Sequence, residues 1–245
     1  MLTVDVEPDW GISGHECILQ TLPRLRELLR KLQMPATFFV VAELIDRCGE
    51  VLRRELQGCE IASHGLTHRV LAGLSQNDIA RELTLSRQKL EAFCGQSVTG
   101  FRAPFLKMPP NWFKALEQAG YRYDSSLGHA GPSPRNRPPA QWHMEKHGGI
   151  VEIPVTSLRT GWIPFSLTYL RLLAPVGIRL VSPDSTIMYL HLHELADPTP
   201  VRLLPWPLRA LLGRNTGEPA WTILERTLTP FAARASTCAD ASRRC

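Results

Sequence analysis

Ser63-His64-Gly65-Leu66-Thr67-His68 follows the apolar run Cys59-Glu60-Ile61-Ala62. The pattern is that of a strand emptying two imidazoles into a glycine-containing turn ahead of a helix. The histidines stand four residues apart, about one helical turn, so both rings can face the same way and reach one cation. Imidazole is a common zinc ligand, but a working site needs a third protein ligand and an open position. Alone, the pair also reads as two unrelated histidines. A further ligand elsewhere in the chain is what matters.

The amino-terminal run Thr3-Val4-Asp5-Val6-Glu7 offers one. Strand alternation puts Thr3, Asp5 and Glu7 on one face, so two carboxylates emerge together at a strand's carboxyl end. Paired carboxylates repel unless a cation or a shared proton relieves them. A solvated acidic loop is the plain alternative.

Between and beyond these stretches, strand and helix patterns alternate. Ile18, Leu22, Leu25, Leu29 and their neighbours recur at helical spacing, with Pro23 expected near that helix's start. Residues 36–42 read as a second strand, and a helix over 44–56 ends at Gly58. Ser75, with Asp78 three residues on, marks the start of a helix that Gly95 closes. Further strands are expected at 98–104, 121–126, 151–157 and 186–193, and residues 128–148 read as one long loop. Seven strands in all, with polar residues at their carboxyl ends, describe a single distorted α/β barrel, (β/α)7, with its active site on the C-terminal face. The barrel is expected to span 1–230, leaving 231–245 as a frayed tail.

The 245 residues suffice for one large core, and 44% hydrophobic with 21% charged content is that of a globular chain. The net charge of +5 comes from scattered Arg and Lys, which permits an anionic partner but gives no argument for nucleic acid. The six cysteines show no C-x-x-C pair, so free thiols in a reducing compartment are expected. With Leu2-Thr3-Val4 opening the first strand, no signal peptide is expected ahead of it, and the location is expected to be cytoplasmic.

Five motifs in order, T-V-D-V-E at 3–7, S-H-G-L-T-H at 63–68, R-A-P at 102–104, D-S-S at 124–126 and Y-L-H at 189–191, resemble the polysaccharide deacetylase family, also called NodB-homology or carbohydrate esterase family 4. The D-V-E start, with Tyr121-Arg122-Tyr123-Asp124-Ser125-Ser126 and Val151-Glu152-Ile153-Pro154, further resembles a bacterial subgroup associated with exopolysaccharide or lipid-linked sugar pathways. The resemblance implies a divalent metal, Zn²⁺ first and Co²⁺, Ni²⁺ or Mn²⁺ as alternatives, held by Glu7, His64 and His68. The common family pattern has two adjacent aspartates, whereas Val6 stands at the second position here and Glu7 follows it. By the same resemblance Asp5 is the general base, oriented by Arg102, and the backbone amide of Phe105 stabilises the oxyanion. His191 matches the general acid, Asp124 the carboxylate paired with it, and His193 is a rival on the same strand. A turn-capping role is the alternative for Asp124.

The resemblance implies a hydrolase of carbon–nitrogen bonds that removes an N-acetyl group from an amino sugar, in a polysaccharide or a lipid-linked saccharide. Formamido sugars or cyclic amides are alternative substrates, and a catalytically silent carbohydrate-binding relative is the alternative from another class. Two apolar runs, 162–173 and 202–212, match no catalytic motif. Prolines and charges interrupt both, so neither is a transmembrane helix. They read as barrel cover or as a surface meeting lipid at the inner face of a membrane.

Overall fold

The computed structural model describes residues 1–127, 144–157, 163–174 and 187–245. Its centre is an eight-stranded sheet in the order β6-β7-β5-β4-β3-β2-β1-β8. The strands are β1 (Leu2–Val6), β2 (Thr37–Val40), β3 (Glu60–Ser63), β4 (Gly100–Phe101), β5 (Tyr123–Asp124), β6 (Glu145–His147), β7 (Ile150–Glu152) and β8 (Met188–His191). All pairings are parallel except that of β6 with β7. The seven expected strands are therefore present, and an eighth, antiparallel one forms within the stretch read as a long loop. Residues 128–143 of that loop, and Trp162 of the first apolar run, lie outside the described residues.

The parallel strands are buried on both faces, which explains why β1 and β2 are enclosed along their whole lengths. Helices α1 (Glu16–Lys31), α2 (Ile45–Leu56), α3 (Gln76–Cys94) and α4 (Trp112–Gln118) cover the sheet, and α1 buries Ile18, Leu22, Leu25 and Leu29 on one stripe. Helix α3 starts as its sequence demands, with Ser75 accepting a hydrogen bond from the Asp78 amide, and ends at Gly95 with φ +68°. Pro23 lies inside α1 rather than near its start. The helix begins earlier because Asp9 accepts the amides of Glu16 at 3.1 Å and Cys17 at 3.3 Å.

Two features depart from expectation more strongly. Residues 231–245 are no frayed tail, because α8 (Cys238–Ser242) seats against the amino-terminal end of the sheet. There the Cys238 amide donates to Thr37 Oγ1 at 2.9 Å, and the Ala239 amide donates to Glu60 Oε1 at 3.0 Å. The half-buried carboxylate of Glu60 takes donors from Thr37, Tyr123 and this helix end. The run 163–173 contains α5 (Leu167–Leu173), whose Leu167, Leu170 and Arg171 are fully enclosed. Phe165, Leu167 and Leu170 are core, and Ile163 and Leu173 pack against it half-buried.

The second run is different. Neither the 3-10 turn Val201–Leu203 nor α6 (Leu208–Leu212) contributes a buried residue. Helix α7 (Glu218–Leu228) then returns to the core through Ala220, Trp221 and Leu224. All six cysteines are free.

Candidate active site

The carboxyl ends of the parallel strands gather the polar residues. Asp5 pairs in register with His191 on β8 and with Phe39 on β2. Alternation sends Val6 into the core, fully buried, and leaves Glu7 to follow Asp5. The two histidines enter from beyond β3 on a turn that is not helical, since His68 has φ +61° and Gly65 φ +85°. Glu82 of α3 holds this turn, accepting the Leu66 amide at 3.0 Å, the Thr67 amide at 3.2 Å and Thr67 Oγ1 at 2.7 Å. The rings converge through this irregular turn, with centroids 5.2 Å apart. One-turn helical spacing is not the cause.

Glu7, His64 and His68 are all buried and offer ligand atoms within 4.8 Å of one another. Glu7 Oε2 lies 2.8 Å from His68 Nε2 and 3.5 Å from His64 Nε2. His64 Nδ1 faces the Arg102 carbonyl at 2.8 Å, and His68 Nδ1 faces that of Gly11 at 3.3 Å. A carbonyl only accepts, so each Nδ1 carries the proton and each Nε2 is presented to Glu7. His68 Nε2 has no hydrogen-bond partner among the described residues. Burial alone would raise the Glu7 carboxyl, but the charge of His191 and the adjoining imidazoles of His64 and His68 hold it well below its ordinary value. An orphaned buried nitrogen, two fixed tautomers and an ionised carboxylate fit a divalent cation. The donor set suits zinc and its neighbours.

Arg102 is fully buried beside this cluster. Its Nη1 donates to Asp5 Oδ1 at 2.7 Å and to Thr3 Oγ1 at 2.8 Å, while Nε and Nη2 donate to the Ser125 carbonyl and hydroxyl at 3.0 and 2.9 Å. The guanidinium lies over the Phe39 ring, 4.2 Å from its centroid. Four acceptors and a stacking face lock the fork, and Asp5 with it. Phe105 follows Pro104 with φ +58° in a 3-10 turn whose own bonds run from Leu106 N to Ala103 O and from Lys107 N to Pro104 O. The Phe105 amide is not used by that turn, and its ring packs 4.7 Å from His68.

His191 Nε2 lies 3.9 Å from Asp5 Oδ2. Its expected partner, Asp124, is elsewhere engaged: it accepts Trp112 Nε1 at 2.8 Å and Ser126 Oγ at 2.6 Å. Asp124 is raised by burial, and its neighbour Glu152 is pushed well above its ordinary value by burial and the Asp124 charge. The two act as one buried acid pair. His191 Nδ1 instead faces Glu194 Oε1 at 3.1 Å. Burial opposes the charged imidazole, yet Glu7, Glu194 and Asp5 together raise it to about 9. The rival His193 is lowered to about 3, by burial first and the His191 charge second. Its Nδ1 accepts the Trp10 amide at 3.2 Å and its ring packs against Trp10. His193 is a neutral wall, not a proton donor.

Glu194 and Arg171 are the members that motif reading passed over. Glu194 stands three residues after His191, the spacing at which a side chain returns to a turn's first residue. No local pattern points to Arg171.

An α/β barrel carrying a buried carboxylate–bis-imidazole cluster beside an arginine-held aspartate defines the class. The polysaccharide deacetylase family model matches residues 1–123, half of the chain, and the chain belongs to that family. It is 28% identical over 109 residues to a peptidoglycan deacetylase of Helicobacter pylori, covering 44% of this chain and 37% of that protein. A chitooligosaccharide deacetylase of Sinorhizobium fredii is 27% identical over 143 residues, 58% of this chain and 62% of the relative. Each match thus spans less than two thirds of the relative's length. Among solved structures, a protein assigned as a polysaccharide deacetylase, from Mycobacterium smegmatis, superposes with a TM-score of 0.63 at 20% identity, over 99% of this chain and 89% of its own. A CE4-family pseudoenzyme from Bacillus anthracis (TM-score 0.60, 15% identity, 99% and 65% coverage) and the PuuE allantoinase (0.61, 15%, 99% and 88%) share the fold as well.

Proposed function

We propose that the protein is a metal-dependent hydrolase that removes an N-acetyl group from an amino sugar of a saccharide. The observation that carries this reading is the meeting of Glu7, His64 and His68 beside the Asp5–Arg102 pair, with His191 facing Asp5. A divalent cation held by the three ligands would act as a Lewis acid on water and the acyl carbonyl. Asp5, held by Arg102, takes the proton of the attacking water. The Phe105 amide donates to the oxygen that gains charge as the carbonyl carbon becomes tetrahedral. His191 gives its Nε2 proton to the departing nitrogen as the C–N bond breaks, leaving acetate and a free amine.

The test is acetate release from short N-acetylglucosamine oligomers and from lipid-linked N-acetyl sugars, with and without Zn²⁺ or Co²⁺. Metal-dependent release is expected. Its absence on every substrate, from folded protein, would sink this reading. Formamido sugars and cyclic amides belong on the same panel, because the fold also occurs in an allantoinase and substrate choice resides in loops. The fold occurs in a pseudoenzyme too, so bound metal must be measured. A silent carbohydrate-binding relative would hold sugar without needing metal or releasing acetate.

A second proposal concerns what carries the sugar. Trp206 is 74% exposed, and Leu208 and Leu211 are 46% and 47% exposed. Residues 198–217 contain Arg202, Arg209 and Arg214 and no acid. Tryptophan and leucine beside arginine suit the boundary between acyl chains and anionic headgroups. On this reading the enzyme works at the cytoplasmic face of a membrane on a lipid-linked amino sugar. Flotation with anionic liposomes, compared with Trp206→Ala/Arg209→Glu protein, tests the surface. Equal kcat/KM on lipid-linked and free sugars, with no flotation, would remove the proposal.

A further inference from the structure

The orientation of His191 is governed by its own turn. Glu194 Oε1 accepts both the His191 backbone amide and faces its Nδ1, each at 3.1 Å. The other oxygen, Oε2, lies 3.0 Å from Arg171 Nε and 2.9 Å from Nη2. Both Glu194 and Arg171 are fully buried. Arg171 is itself held at its far end, where Nη1 donates to the carbonyls of Leu212, at 3.1 Å, and Arg214, and Asn215 Nδ2 donates to the Arg171 carbonyl at 2.8 Å. A chain of buried charged contacts thus runs from the segment after α6 to the imidazole.

We propose that Glu194, anchored by Arg171, is the positioning residue for His191: it fixes the Nδ1–H tautomer and aims Nε2 at the cleft. A carboxylate oxygen only accepts, so the ring nitrogen facing it must carry the hydrogen. Burial and the ion pair with Arg171 leave the carboxylate one fixed geometry, and the bond to the His191 amide holds the ring's backbone in the same frame. Asp124 is engaged elsewhere, accepting Trp112 Nε1 and Ser126 Oγ, and the carboxylate that His191 Nδ1 faces is that of Glu194. The stacked His193 ring, 5.0 Å away and 12° from parallel, closes the ring's other side. The kinetic consequence rests on the deacetylase reading; the tautomer does not.

The test combines ¹⁵N NMR of the His191 ring with kinetics, on the full chain loaded with Zn²⁺. Wild-type protein is expected to show hydrogen on both ring nitrogens at neutral pH and on Nδ1 alone once the ring turns neutral at higher pH, a measurement that needs no variant and no activity. Glu194→Gln is expected to lose that fixed tautomer and to lower kcat roughly tenfold or more, with KM and bound metal unchanged. Asp124→Asn is expected to leave the His191 ring signature as in wild type. A neutral wild-type ring carrying its hydrogen on Nε2 rather than Nδ1 overturns the proposal, as does an unaltered ring signature in Glu194→Gln, or one altered by Asp124→Asn. A wild-type enzyme that releases no acetate removes the deacetylase reading and leaves the ring measurement standing.

Discussion

Glu7 Oε2 lies 2.8 Å from His68 Nε2, where both side chains are shut away from solvent. With His64 Nε2 only 3.5 Å from the same oxygen, two ring nitrogens compete for one carboxylate. A cation would resolve the competition by taking all three as ligands. Zn²⁺ is therefore expected to bind tightly and raise the melting temperature, since it binds the folded state alone. Glu7→Gln, His64→Ala and His68→Ala should each weaken binding strongly. Calorimetric titration measures this directly, and full affinity in Glu7→Gln would contradict the ligand assignment.

Asp5 is expected to behave in the opposite way. Asp5→Asn should retain the metal and lose turnover by several orders of magnitude, because it removes the base and none of the three ligands. Metal loss in Asp5→Asn, with Glu7→Gln loaded and active, would reverse the roles of the two acids. Arg102→Lys should also cost about 3 kcal/mol or more of stability, because an ammonium cannot reach the four acceptors that the buried guanidinium serves. Urea midpoints read that loss.

The Asp124–Glu152 pair makes stability depend on pH. Trp112 and Ser126 donate to Asp124 and favour its charge, so the shared proton belongs on Glu152. In the unfolded chain both acids titrate near about 4. Their folded values are raised, so the stability they contribute is full below that pH and is lost as pH rises through the folded values. Glu152→Gln replaces the protonated carboxyl with a neutral amide. Between about pH 5 and about pH 8 its melting temperature should fall less than that of wild type. Equal slopes for the two proteins would mean that the pair ionises normally.

Gly100 is needed for space alone. A Cβ there would stand 1.9 Å from Cζ of Tyr123, a fully buried ring tied by its hydroxyl to Glu60. The ring cannot retreat, since Glu60 also receives α8. Gly100→Ala is expected to destabilise by about 3 kcal/mol or more, visible as a lower urea midpoint. An unchanged midpoint would show that β4 and β5 can part without cost.

The strand pattern, the ends of α3 and the acidic and histidine motifs were legible because they are local. Apolar periodicity distinguishes strand from helix, Ser75 caps α3 through its hydroxyl and Gly95 through its left-handed backbone, and alternation alone places Asp5 and Glu7 on one face. What the tertiary structure decided is partnership. His191 takes Glu194 rather than Asp124 because Trp112, Ser126 and Glu152 converge on Asp124 from α4, its own strand end and β7, none of which a one-dimensional pattern brings together. The same holds for α8, whose Cys238 and Ala239 amides find Thr37 and Glu60, and for the two apolar runs, of which only 163–173 meets core. Hydrophobic content does not say which neighbour arrives first. A buried polar group takes the donor or acceptor that packing delivers to it, and that delivery is set by the fold as a whole.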